Sequence, residues 1–187
     1  MTTSNVELIR PADRRRIPWK NGAGTTEEIA TDQPDSGRPA LWRFSIATLG
    51  DEPTQFSTFA GVDRIFTVIG EYAVQLDWAD TSVELPPWHP QPFSGIDAPR
   101  CTPLGATTAF NVMVDSRRAS ASVGMHSLRT SAVRTDPRSI TLAYLRSGSA
   151  EIRSLQARPG DCVLVTRDEA VITGTARLLV ARVRLHG

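Results

Sequence analysis

Prolines and glycines, 13 of each in 187 residues, interrupt this chain so often that few stretches could hold a stable helix. The pieces between them alternate apolar and polar residues with the period of a strand. Residues 41–49, LWRFSIATL, place Trp42, Phe44 and Ile46 on one face and Arg43, Ser45 and Ala47 on the other. Residues 64–69 lead through Gly70 into 72–76, a hairpin signal. Residues 110–114, FNVMV, put Asn111 and Met113 on a common face. Further strands are expected at 140–146, 150–155, 162–166, 170–173 and 178–185, and a short helical turn only near 25–32. Many short strands at regular spacing predict an all-β chain, a sandwich or barrel with little helix.

The two halves echo each other. FTVIGEYAVQL at 66–76 and LAYLRSGSAEI at 142–152 both read as strand, glycine-containing turn and strand. LQARPGDCVLV at 155–165 then resembles the second motif of cupin barrels. In it Pro159 and Gly160 make a tight turn, and Asp161 can bond the backbone that follows. Together with the strand count, the echo predicts a bicupin of two tandem cupin-type barrels of the RmlC-like jelly-roll kind. Residues 1–120 are expected to form an N-terminal barrel with a ligand pocket, and 121–187 a divergent C-terminal barrel, with strands open to being shared.

Composition narrows the function. At 40% hydrophobic and 22% charged residues, with a formal net charge of +1, the chain reads as a soluble globular protein. The densest basic run, Arg14-Arg15-Arg16, is short and follows Asp13, so no nucleic acid is expected as a partner. No stretch approaches the roughly 20 apolar residues of a membrane helix, and the first residues lack the apolar core of a signal peptide. Cys101 and Cys162 read as buried thiols of a cytoplasmic protein. His89, His126 and His186 are scattered, with no pair one strand-step apart, so neither a metal nor any other cofactor is expected. A nucleophile elbow and a Walker loop are both missing from the sequence.

One cation stands apart. Of the 21 basic residues, 20 are arginine, and Lys20 is the single lysine. An ammonium is a compact point charge, whereas a guanidinium is a broad planar fork, so a narrow site gripping one carboxylate oxygen would favour lysine. Lys20 lies in PWKNGAGTTEEI (18–29), which occurs together with WRFSIA (42–47), FSTFAGVDRI (56–65) and FNVMV (110–114). In order and wording these segments resemble the HutD/Ves family of small bicupin proteins associated with bacterial histidine utilisation. Ala23, Glu27 and Ala109 depart from the family pattern, which carries Gly, Arg and Asp at those places.

The resemblance implies a metal-free pocket in the N-terminal barrel that binds a small carboxylate metabolite of the histidine pathway, such as urocanate or formylglutamate, in a modulating role. The ligand-binding residues expected are Trp19, Lys20, Asn21, Thr26, Glu28, Arg43, Ser45, Arg64, Asn111 and Met113. Glu28 is expected to neutralise Lys20 or an arginine in the empty state, and Arg64 has Asp63 as an alternative partner. The competing reading is a metal-independent isomerase or hydrolase using Lys20 and Glu28 as acid and base. The partner is expected to be the metabolite, with no membrane involved and a homodimer left open.

Overall fold

A computed structural model describes residues 5–19, 24–32 and 40–186. Lys20, Asn21 and Ala23 lie outside the described residues. The chain divides into two units, Arg15–Ser120 and Met1–Arg14 with Ala121–Gly187. The first residues therefore group with the C-terminal half rather than with the barrel expected for 1–120. The cause is β1 (Val6–Ile9), whose backbone ladder runs against Cys162–Thr166, with Val6 opposite Val165 and Ile9 opposite Cys162. A turn of 3-10 helix, Pro11–Asp13, follows, and the Asp13 carboxylate accepts from the Arg10 amide at 3.0 Å.

The first unit runs through β2 (Arg15–Pro18), β3 (Gly24–Thr31), β4 (Trp42–Leu49), β5 (Thr54–Gln55), β6 (Val62–Val68), β7 (Val74–Asp77), β8 (Ser82–Leu85), β9 (Pro90–Ser94), β10 (Arg100–Pro103) and β11 (Thr107–Asp115). They form two sheets, ordered β2-β3-β4-β11-β6-β9 and β5-β10-β7-β8. Leu49, Phe66, Val68 and Ala109 from the first sheet pack with Val74, Leu76, Leu85 and Cys101 from the second in one buried cluster. Each valine, leucine or phenylalanine among them contributes about 1.5–3 kcal/mol through burial.

Two local expectations fail here. Of residues 25–32, expected as a helical turn, all but Asp32 are strand, because Thr25, Thr26, Ile29 and Thr31 are β-branched and β2 and β4 offer ladders on both sides. A register shift between Glu28 and Ala30 makes room for Ile29. Nor do β6 and β7 form a hairpin about Gly70: β6 pairs with β11 and β9, β7 with β10 and β8. Gly70 is a place of close approach instead. Its N–H donates to the Thr108 carbonyl at 3.0 Å, and a Cβ there would lie 2.6 Å from the Thr108 nitrogen.

The second unit adds β12 (Ala119–Ser127), which begins in the last two residues of the first, then β13 (Val133–Arg134), β14 (Ser139–Ile152), β15 (Leu155–Ala157), β16 (Cys162–Thr166) and β17 (Val171–Leu185). Their sheet runs β1-β16-β14-β17-β12, with β13 on β17 and β15 on β14. The separate strands expected at 170–173 and 178–185 are one long strand, paired with β14 from Ser139–Arg184 to Glu151–Thr173. Gly148, expected in a turn, is inside β14 at φ 86°, directly after a register shift at 145–147. Only glycine takes that conformation freely. Leu145, Ile152, Val163, Val165, Leu178 and Val180 fill the interior. The Pro-Gly-Asp turn forms, with Gly160 at φ 92°. Its Asp161 carboxylate caps the preceding backbone rather than the following one, accepting from the Arg158 N–H at 2.9 Å.

Candidate functional site

The strand register assembles the site row by row. Met113 on β11 lies opposite Arg43 on β4 and Arg64 on β6. One step along, Asn111 lies opposite Ser45 and Phe66. Alternation turns this face of the six-stranded sheet toward a cavity of about 490 Å³, while Trp42, Phe44 and Ile46 are buried on the other face. The cavity is lined by Trp19, Thr26, Arg43, Ser45, Arg64, Asn111 and Met113 from the expected set, joined by Pro18, Ala47, Leu49, Thr54, Gln55, Phe56, Ser57, Phe59 and Phe66.

Arg64 is its electrostatic centre. Its Nε and Nη2 both donate to Asn111 Oδ1, at 2.9 and 2.6 Å. The guanidinium carbon lies 4.3 Å from the Phe56 ring centroid, 5.5 Å from Phe66 and 5.4 Å from Phe93, distances at which a cation is attracted to the ring faces. Burial, with a smaller push from Arg43, lowers the Arg64 pKa to about 10, so the group remains cationic at neutral pH. Among the described residues no carboxylate pairs with it. Asp63, offered by the sequence as a partner, precedes Arg64 on the strand and is exposed, which points it to the opposite face.

Arg43 is arranged differently. Its Nε donates to Glu28 Oε2 at 2.8 Å, and Glu28 Oε1 lies 3.7 Å from Arg15 Nε. Glu28 thus engages an arginine, one of its two expected partners, and is not among the residues lining the cavity. Glu27, on the alternate face, meets Arg16 at 3.2 Å. At the near end of the cavity, Trp19 Nε1 donates to Thr26 Oγ1 at 2.8 Å, which fixes the indole as a wall. Asn111 is buried, and its amide donates weakly to the Ala109 carbonyl at 3.3 Å.

Sequence reasoning gave no role to Phe56, Phe59 or Phe66. Phe66 was legible as an inward residue of β6 by alternation. Phe56 and Phe59 sit in a loop with no period to read, and their one signal was the repeated phenylalanine of FSTF.

Taken together, the cavity offers a fixed cation, neutral amides and hydroxyls, and aromatic walls. Such a set can hold an anionic group at one end and an apolar or planar body beside it. Among the described residues, no three His, Cys, Asp or Glu side chains come together to hold a metal, and no helix is long and apolar enough to cross a membrane.

The HutD family model matches residues 11–185. A 21.2 kDa protein of the hutC 3' region in Pseudomonas putida is 40% identical over 117 residues, 62% of this chain and 61% of that one. Protein Ves of Citrobacter koseri is 31% identical over 110 residues, 57% of this chain and 56% of that one. The matches to these curated relatives thus span roughly six-tenths of their length. Among solved structures, HutD from Pseudomonas fluorescens SBW25 superposes with a TM-score of 0.80 at 27% identity, covering 97% of this chain and all of that one (100%). A conserved protein of unknown function from Pseudomonas aeruginosa PAO1 gives 0.82 at 28% identity, covering 97% and 99%. A Leptotrichia buccalis cupin barrel protein, at 8% identity and a TM-score of 0.60 over 92% of this chain and 96% of that one, shares the fold alone. The fold is the cupin-like jelly roll.

Proposed function

The chain belongs to the HutD family, and from that premise we propose that it is a small-molecule-binding protein of histidine utilisation. On this reading the cavity of the first unit takes a carboxylate-bearing intermediate of that pathway, urocanate or formylglutamate among them, and the bound state modulates the pathway. The association with histidine utilisation is supported by the relative from the hutC 3' region and by the HutD structure of near-complete coverage.

The observation that carries the binding reading is the state of Arg64. A guanidinium partly withdrawn from water normally has a carboxylate partner, because desolvating a charge is costly. Here the acceptor is the neutral amide of Asn111, and the charge faces a cavity large enough for a small metabolite. A ligand carboxylate would complete the pair. The acid–base alternative has less support, since Glu28 is engaged by Arg43. Titrating the purified protein with urocanate and formylglutamate by calorimetry tests the reading. Saturable binding that Arg64→Met abolishes is expected. Equal binding by wild type and Arg64→Met, or none by wild type across pathway carboxylates, would overturn it.

A further inference from the structure

The strands that border the sheets are blunted, with one exception. β2 carries Arg15, Arg16 and Pro18, and β9 carries Pro90 and Pro92. β1 and β8 are short and carry Glu7 and Glu84, while β5, β13 and β15 have three residues or fewer. Charge, proline and shortness keep a free row of N–H and C=O groups from pairing with another chain. β12 has none of these. Its nine residues, ASASVGMHS, include no proline and no Asp, Glu, Lys or Arg. The pKa of its His126 is lowered by burial and by Arg182, so the ring adds no charge at neutral pH. β12 ends its sheet beside β17, and among the described residues nothing pairs with its other side. Ser122 and Met125 are exposed, and a Cβ on Gly124 would meet nothing within 4 Å.

The open edge runs into a basic cleft. Ser127, the last residue of β12, lines a cavity of about 530 Å³ with Arg129, Thr130, Ser147, Thr175 and Arg177. Both arginines are exposed. No Asp or Glu is among the lining residues, and neither arginine is ion-paired among the described residues. The charge extends to the whole second unit, residues 1–14 and 121–187, which has 12 arginines against 7 aspartates and glutamates, although the chain as a whole is at +1. A second copy paired on this edge would bring two basic units together, whereas an acidic segment meets complementary charge.

We propose that the free side of β12 and the Arg129–Arg177 cleft form a docking site for an extended acidic segment of another protein. The segment adds as a strand beside residues 121–127, bonding their outward N–H and C=O groups, and sets a carboxylate between the two arginines. The site is separate from the first unit's cavity and does not depend on the ligand proposed there.

The probe is a fluorescein-labelled nine-residue peptide alternating glutamate and threonine, titrated by anisotropy at fixed ionic strength into the full chain. Saturable binding is expected, with slowed amide exchange within residues 121–127. The same peptide methylated on alternate backbone nitrogens, which keeps its charge but cannot add as a strand, should bind roughly 10-fold or more weakly. So should the parent peptide with the Arg129→Ser/Arg177→Ser variant, whose thermal midpoint should match that of wild type because both side chains are exposed. Lysine in place of glutamate should abolish binding. Equal binding of the methylated and parent peptides, or of a nine-nucleotide oligothymidylate, would reduce the site to a general attraction for anions and overturn the proposal. No binding by wild type, protection confined to other strands, or a wild type that dimerises through residues 121–127 in place of binding the peptide would overturn it too.

Discussion

Arg64 directs two of its donors, Nε and Nη2, onto one oxygen, Oδ1 of Asn111, at 2.9 and 2.6 Å. A fork that would ordinarily lie parallel to a carboxylate is here pinned by an amide and cushioned by the Phe56 ring at 4.3 Å. The position of the charge is therefore set before any ligand arrives, and that preorganisation reduces what binding must cost.

Replacing Arg64 by lysine tests whether geometry or charge matters. Lysine keeps the charge, but it loses the planar stack on the rings and the two convergent donors. Arg64→Lys should weaken urocanate binding by about 10-fold or more and lower the thermal midpoint by a few degrees. Arg64→Met should weaken binding at least as much with little loss of stability, because it removes a partly desolvated charge that has no carboxylate partner among the described residues. Calorimetry and thermal unfolding of the two variants, side by side, give the comparison. A methionine variant far less stable than the lysine variant would contradict it.

The face carrying this pair was readable from alternation alone. In LWRFSIATL and FNVMV, every second residue faces the cavity, and the ladder between β4 and β11 keeps Arg43 with Met113 and Ser45 with Asn111. Long-range partners were not readable. Nothing local says that Arg64 turns to a residue 47 positions away rather than to Asp63. Nor does local sequence reveal that Gly70 marks a crossing between sheets, since a turn glycine and a close-approach glycine look alike in a string. The same ambiguity split β14 and β17 into shorter strands, because Gly148 and Gly174 allow backbones to approach without ending the strand. Lys20, the residue the sequence singled out, lies outside the described residues, and the cation that organises the described cavity is Arg64.

Gly148→Ala should destabilise the second unit. Its φ of 86° is strained for any residue with a Cβ, and that Cβ would press on the backbone of Ala176, whose Cα lies 2.9 Å away. The strain of such a conformation is about 1–2 kcal/mol, and the clash adds to it. Chemical denaturation should show at least that loss, with cavity binding in the first unit retained once the protein is folded. A variant as stable as wild type would mean that the strand relaxes at this point.

Asp161→Ala should also cost stability. The carboxylate accepts from the Arg158 amide at 2.9 Å inside the turn that returns the chain into β16, and the residue is buried. Removing the acceptor leaves a backbone donor unsatisfied, worth about 1–3 kcal/mol. Asp161→Asn, which retains the acceptor oxygen, should recover most of it. Equal losses in the two variants would assign the effect to charge rather than to the cap.

The two buried cysteines favour unfolding at alkaline pH. Burial pushes both thiols up from the ordinary value of 9.0 to about 12, with Arg64 opposing the rise at Cys101 and Arg14 opposing it at Cys162. Between those values the unfolded chain has lost the thiol protons that the folded chain keeps. The unfolded state is then the one favoured by rising pH, so stability is full below about pH 9 and declines as pH climbs toward 12. A tenfold difference in proton affinity between the folded and unfolded chain is worth about 1.4 kcal/mol, so the two thiols together withdraw several kcal/mol across the window. Neither thiol should react with a thiol-specific reagent in the folded protein at pH 8, and both should react in denaturant. Measured by urea denaturation from pH 8 to 11, the wild-type curve should fall more steeply than that of the Cys101→Ala/Cys162→Ala double variant. Parallel curves would show that the thiolates form without unfolding, and rapid labelling of the native protein at pH 8 would show that the thiols are open to solvent.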